Sequence, residues 1–149
     1  MTAEPEPNTH GPADFIFICP SYLECVLAAG NEHDIETLRE WCADLPLKSY
    51  GRVFVEVSAT TEPETFAMPP GVGITWVRRG ADEAPGVALR RATSAWFDEW
   101  LRGDPLSGRV VRLLPGALDA PGMIEFWQGI ELELAEMTAA AAEYRSETP

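Results

Sequence analysis

Basic side chains are scarce. Lys and Arg number 11 against 24 Asp and Glu, a net charge of −13 over 149 residues. A surface of that sign repels phosphate backbones, which argues against nucleic acid as a partner. No apolar run approaches the ~18 residues of a membrane span. The opening residues are acidic and proline-rich, without the basic start and apolar stretch of a secretory signal. Three cysteines, Cys19, Cys25 and Cys42, are too few for a disulfide framework, and a reduced, cytoplasmic setting is expected. Cys25, His33 and Cys42 match the spacing of no common metal site and read as core cysteines and a loop histidine. The sequence has no G-x-x-x-x-G-K-[ST] phosphate loop, no G-x-G-x-x-G after its first strand and no G-x-S-x-G elbow. With His10 in the acidic opening, a Ser-His-Asp arrangement has only His33 to draw on.

What is present suits one compact domain. Apolar residues make up 46% of the chain, enough for a core. Residues 1–13 read as a tail and 14–149 as a single domain. Phe15 to Cys19 is a short apolar run closed by Pro20, and Leu23 to Ala28 reads as the first buried strand. Asn31 is placed to cap a helix carrying Ile35, Leu38 and Cys42, with Pro46 ending the run. Arg52 to Val57 and Ile74 to Val77 read as strands, joined by a link with three prolines that cannot hold a full helix. A helix is expected from Val87 to Arg102, with Leu89, Ala92, Trp96 and Trp100 facing one way, Phe97 and Leu101 beside them, and Gly103 ending it. A strand from Arg109 to Leu114 follows.

The last helix, from Pro121 to Tyr144, repeats Met123, Trp127, Ile130, Leu134, Met137 and Ala141 along one side. At ~1.5 Å per residue it outreaches a small sheet, so a homodimer through its second half is expected. Alternating strands and helices imply a small, doubly wound, mainly parallel α/β sheet of four to five strands flanked by helices. Ligands bind such sheets at the carboxyl ends of the strands. The loops there hold Gly30, Asn31, Glu32, His33, Ser58, Arg78, Arg79 and Gly116. The window 76–112 carries seven arginines against five acids, so an anionic ligand is expected near it. Arg90, Arg91 and Arg102, among helical residues, read as balancing nearby acids.

Three stretches resemble one family. Leu27 to Trp41, containing Gly30-Asn31-Glu32-His33, resembles the first strand, turn and helix of the nucleotide domain of siderophore-interacting proteins, which are flavin-dependent ferric-siderophore reductases. Gly51 to Val57 resembles the family's second strand. Gly71 to Gly80 resembles its Gly-Val-x-Val-Thr-Trp-Leu-x-Arg-Gly stretch. The resemblance spans residues 22–120 and implies a Rossmann-like fold of the ferredoxin-reductase nucleotide-domain type.

The resemblance also implies NADPH or NADH at the strand ends, a backbone close to the pyrophosphate at Gly30, and a ribose phosphate held by Arg79 with Arg78 beside it. The family's turn usually reads Gly-Asp-Glu-Thr, and its loop after the fourth strand Ala-Gly-Glu. Here these are Gly30-Asn31-Glu32-His33 and Leu114-Pro115-Gly116-Ala117. The family's flavin barrel has no counterpart in the residues before 22, so no flavin is expected on this chain and a separate flavin-binding reductase domain is the expected partner. The competing expectation is a non-catalytic binding or oligomerisation module that keeps the fold without the reductase chemistry.

Overall fold

The computed structural model describes residues 24–105 and 109–147. The expected tail, the Phe15 to Cys19 run and Leu23 lie outside the described residues. Four strands form one wholly parallel sheet: β1 Cys25–Asn31, β2 Tyr50–Val57, β3 Gly71–Arg78 and β4 Val111–Pro115, in the order β3-β2-β1-β4. Three helices flank it: α1 Ile35–Ala43, α2 Val87–Phe97 and α3 Met123–Glu147. This is the expected doubly wound α/β architecture, with four strands among the described residues.

The central strand is legible as a buried one because Cys25 to Ala29 are all apolar and fully buried, as a strand covered on both faces requires. It runs two residues further than that apolar stretch, to Asn31. The ladder to β2 continues through Gly30↔Val55 and Asn31↔Glu56. Side-chain alternation then sorts two cores. Val26, Ala28, Val53, Val55 and Val57 face Leu38, Cys42 and Leu45, from α1 and its C-terminal end. Cys25, Leu27, Ala29 and Phe54 face Leu89 and Phe97 of α2 and Met123, Trp127 and Ile130 of α3. Cys25 and Cys42 are therefore buried on opposite faces. Burial raises both thiols above their ordinary range, Cys42 to about 11.

The inner face of α2 is rotated from the expected one. Leu89, Thr93, Phe97 and Leu101 are buried, while Ala92 and Trp96 pack at the margin and Trp100 is 48% exposed. The two indoles stack on each other instead, 6.4 Å apart. After Phe97 the helix widens into one π-helical turn, Asp98–Arg102. Gly103 closes it with a φ of −68°, without the left-handed conformation glycine often supplies at such ends. The link over residues 58–70 contains no regular element, as its prolines require. Among the described residues no helix is long and apolar enough to cross a membrane.

Candidate functional site

Strand order reverses between β1 and β4: from β1 the chain steps outward to β2 and β3, then returns to the other side of β1. Parallel sheets open their ligand crevice at such a point, beyond the carboxyl ends of the strands. Here two glycines meet back to back. A Cβ on Gly116 would lie 2.3 Å from the Ala29 carbonyl oxygen and 3.0 Å from the Gly30 Cα. A Cβ on Gly30 would lie 2.9 Å from Asp34 Cβ and 3.0 Å from a Leu38 methyl. Both glycines thus let protein approach protein, and the space beside Gly30 is taken by the first turns of its own helix.

The turn after β1 is closed by its own side chains. Asn31 Oδ1 accepts from the His33 amide at 3.0 Å, and Asp34 Oδ2 accepts from the Asn31 amide at 2.9 Å, a reciprocal cap over the 3-10 turn Glu32–Asp34. Asp34 Oδ2 also accepts from the Ala117 amide at 2.8 Å, which ties the β1 turn to the loop after β4. Ala117 sits there with a φ of +57°, unusual for a residue with a Cβ. A second tie joins the same loops: Asp119 accepts from Asn31 Nδ2 at 2.9 Å and meets His33 Nδ1 at 3.0 Å. These two bonds hold the Asp119 carboxyl below the usual carboxylate range.

Beside this lies a cleft of about 270 Å³, lined by Asn31, Glu32, His33, Arg79, Pro85, Asp119, Ala120 and Pro121. Its arginine is held by a residue that the sequence reading did not single out. Glu56, at the end of β2, is 1% exposed. Its carboxylate accepts from the Gly86 amide at 3.0 and 3.2 Å and from the Leu89 amide at 3.2 Å, capping α2 from below. Gly86 reaches this position with a φ of +93°, a conformation that favours glycine. Arg79 Nη1 stands 3.5 Å from Glu56 Oε1, so the buried carboxylate anchors the cleft's guanidinium as well. Only its setting within a run of β-formers, Val53-Phe54-Val55-Glu56-Val57, could have marked Glu56 out.

The structure separates the two arginines that adjoin in sequence. Arg79 lines the cleft. Arg78 Nη1 donates to the carbonyls of Ser58, Ala59 and Thr61 at 3.0–3.1 Å and so clamps the loop after β2. Ser58 belongs to that loop. Its hydroxyl meets Thr61 Oγ1 at 3.0 Å and lies 3.5 Å from Glu32 Oε2, which also accepts from Thr61. Of the expected site residues, the cleft therefore brings together Asn31, Glu32, His33 and Arg79. Gly30 and Gly116 serve the packing behind it, and Ser58 and Arg78 form a neighbouring cluster. Two of the helical arginines balance acids as expected, Arg91 with Glu83 at 2.6 Å and Arg102 with Glu133 and Asp98, whereas Arg90 donates to the Pro121 backbone carbonyl at 2.8 Å. The donors that line the cleft are the Asn31 side-chain amide and the His33 imidazole, both now bonded to Asp119, and the Arg79 guanidinium. Among the described residues no group of three or more His, Cys, Asp or Glu is arranged to hold a metal ion.

A parallel sheet with helices on both faces and a polar cleft at its strand ends defines a small Rossmann-like domain. No protein-family model matches the chain, and no curated protein is significantly similar to it. Two solved structures are similar in part. A siderophore utilization protein from T. fusca matches over 48% of this chain and 27% of its own, at 26% identity and a TM-score of 0.41. The siderophore-interacting protein SipS from Aeromonas hydrophila matches over 68% of this chain and 37% of its own, at 14% identity and a TM-score of 0.49. The chain thus matches little more than a third of either of those proteins at most.

Proposed function

We propose that the chain is a nucleotide-binding module of the siderophore-interacting type, taking the adenosine phosphate end of NADPH or NADH into the cleft. In this reading it works in a reduced cytoplasmic setting beside a separate flavin-binding domain that completes ferric-siderophore reduction. The observation that carries the reading is Arg79, a guanidinium anchored by a buried carboxylate and facing a cleft at the carboxyl ends of a parallel sheet. The Gly51 to Val57 and Gly71 to Gly80 stretches, which resemble the family's second and third strands, support it. A cleft of about 270 Å³ suits part of a dinucleotide rather than the whole.

Calorimetric titration with NADPH, NADH and ADP tests the proposal. Indole fluorescence is the poorer probe, because Trp76 packs edge-on against Phe66 at 6.0 Å, in the core on the α1 side of the sheet. Binding that weakens in Arg79→Ala supports the proposal. A second reading, a module that keeps the fold without reductase chemistry, draws support from the β1 turn. Its Asn31 and His33 amides are already satisfied by Asp34 and Asn31, where a dinucleotide fold offers them to a pyrophosphate. Absence of binding at millimolar nucleotide favours that second reading.

A further inference from the structure

We propose that Asp119 is an internal competitor for the anionic ligand: its carboxylate occupies the Asn31 and His33 donors at the cleft and must swing away before a phosphate can meet them together with Arg79. The inference rests on the nucleotide reading above and concerns how that site is regulated.

Three features carry it. First, the donors are the ones a ligand anion would need. Asn31 Nδ2 and His33 Nδ1 both line the cleft and both point their hydrogen bonds at Asp119, at 2.9 and 3.0 Å. Carboxylate and phosphate oxygens accept from an amide and an imidazole in the same way, so one can replace the other without leaving a donor unpaired. Second, the contact is built to open. The Asp119 side chain is 59% exposed and the His33 side chain 79%, so neither is held by packing. Water can satisfy both during the exchange, and an exposed pair of this kind contributes little to stability. Third, the frame behind the contact stays in place when it opens. Asp34, partly buried, keeps the Asn31 and Ala117 amides tied by separate bonds. The turn and the loop therefore remain joined while Asp119 moves.

Charge sets the direction of the effect. The charged groups that line the cleft with His33 are Asp119 from the loop after β4, Glu32 from its own turn, and Arg79. Two carboxylates against one guanidinium, itself paired with the buried Glu56, leave the cleft net negative, and Asp119 is the one directly on the shared donors. Removing it both frees the donors and lifts a repulsion from an incoming phosphate.

The test uses the full chain and its Asp119→Ala variant, titrated with inorganic pyrophosphate and with NADPH. Binding is followed by calorimetry and by the NMR signals of the Asn31 side-chain amide and the His33 ring. Asp119→Ala is expected to bind both probes about tenfold more tightly than the parent, with both signals moving on addition. Asp119→Asn, which loses the charge and keeps an acceptor, is expected between the two, and it carries the comparison if Asp119→Ala melts early. Equal or weaker binding of both probes by the variants overturns the competitor role while leaving the nucleotide reading in place. A tenfold gain for pyrophosphate with no NADPH binding in any form upholds the competitor role and removes the nucleotide reading. No binding of either probe to a folded variant overturns both.

Discussion

Glu56 shows how one residue can hold several functions of a fold at once. Its carboxylate accepts the first free amides of α2 and anchors Arg79 of the cleft, all at 1% exposure. Glu56→Ala leaves two buried amides without an acceptor and is expected to cost on the order of 3 kcal/mol in urea unfolding, whereas Glu56→Gln retains an acceptor and costs less. Equal stability of the two variants would contradict the capping role. The one signal for Glu56, its place inside a β-rich run, did not reveal its burial, because an acid there reads as an outward-facing side chain. The β1 turn, by contrast, was legible: Asn31 followed by Asp34 is a capping pattern, and it forms as one. Two surface acids make a small contribution on the acid side. Asp119 is held down by Asn31 and His33, and Glu83 by Arg91 and the Gly80 amide. Since both titrate lower in the folded chain than in the unfolded one, the stability they add is fully present above about pH 5. It is lost as the pH falls through their folded values. Urea midpoints measured from pH 7 to pH 3 should therefore fall in the acid range, and fall less steeply in the double variant Asp119→Asn, Glu83→Gln. An unchanged slope would contradict the assignment.

Along α3, the stripe of Met123, Trp127, Ile130, Leu134, Met137 and Ala141 is the face turned to the protein. The first three are buried, Leu134 and Met137 pack against the same cluster, and Ala141 is 1% exposed. The stripe is thus used within one chain much further along than the strand lengths suggest. That removes the exposed stripe on which the expected dimer rested; we propose that any dimer uses the outer face, where Ile124 and Leu132 are 50% and 62% exposed. We expect light scattering at tens of micromolar protein to give a dimer mass, and Leu132→Glu to return a monomer with an unchanged melting temperature. A monomer mass for the parent would contradict the dimer. Leu134→Glu is expected to destabilise the fold itself, since its side chain packs on the core. For α2 the period was legible and the phase was not. Thr93 lies buried between Leu89 and Phe97, and a threonine at the centre of an inner face is invisible to a hydrophobicity pattern.

At the scale of the whole molecule, the alternation of strands and helices carried the architecture, because a fully apolar central strand and a proline-broken link admit few other arrangements. The site was legible only as a set of strand-end loops. Which arginine of Arg78-Arg79 faces the cleft depends on the pleat, and the pairing of Asp119 with His33 joins residues 86 apart in sequence. The acidic surface, the basic middle window and the cleft beside Arg79 together make an anionic ligand at the carboxyl edge the central claim. Calorimetric titration of the parent and of Arg79→Ala with NADPH, NADH and ADP tests it most directly. Saturable binding by the parent, weakened roughly tenfold or more in Arg79→Ala by the loss of charge-assisted bonds worth about 1.5–3 kcal/mol, is the predicted result. Equal affinity of the two proteins, or no binding by the parent at millimolar nucleotide, would contradict it.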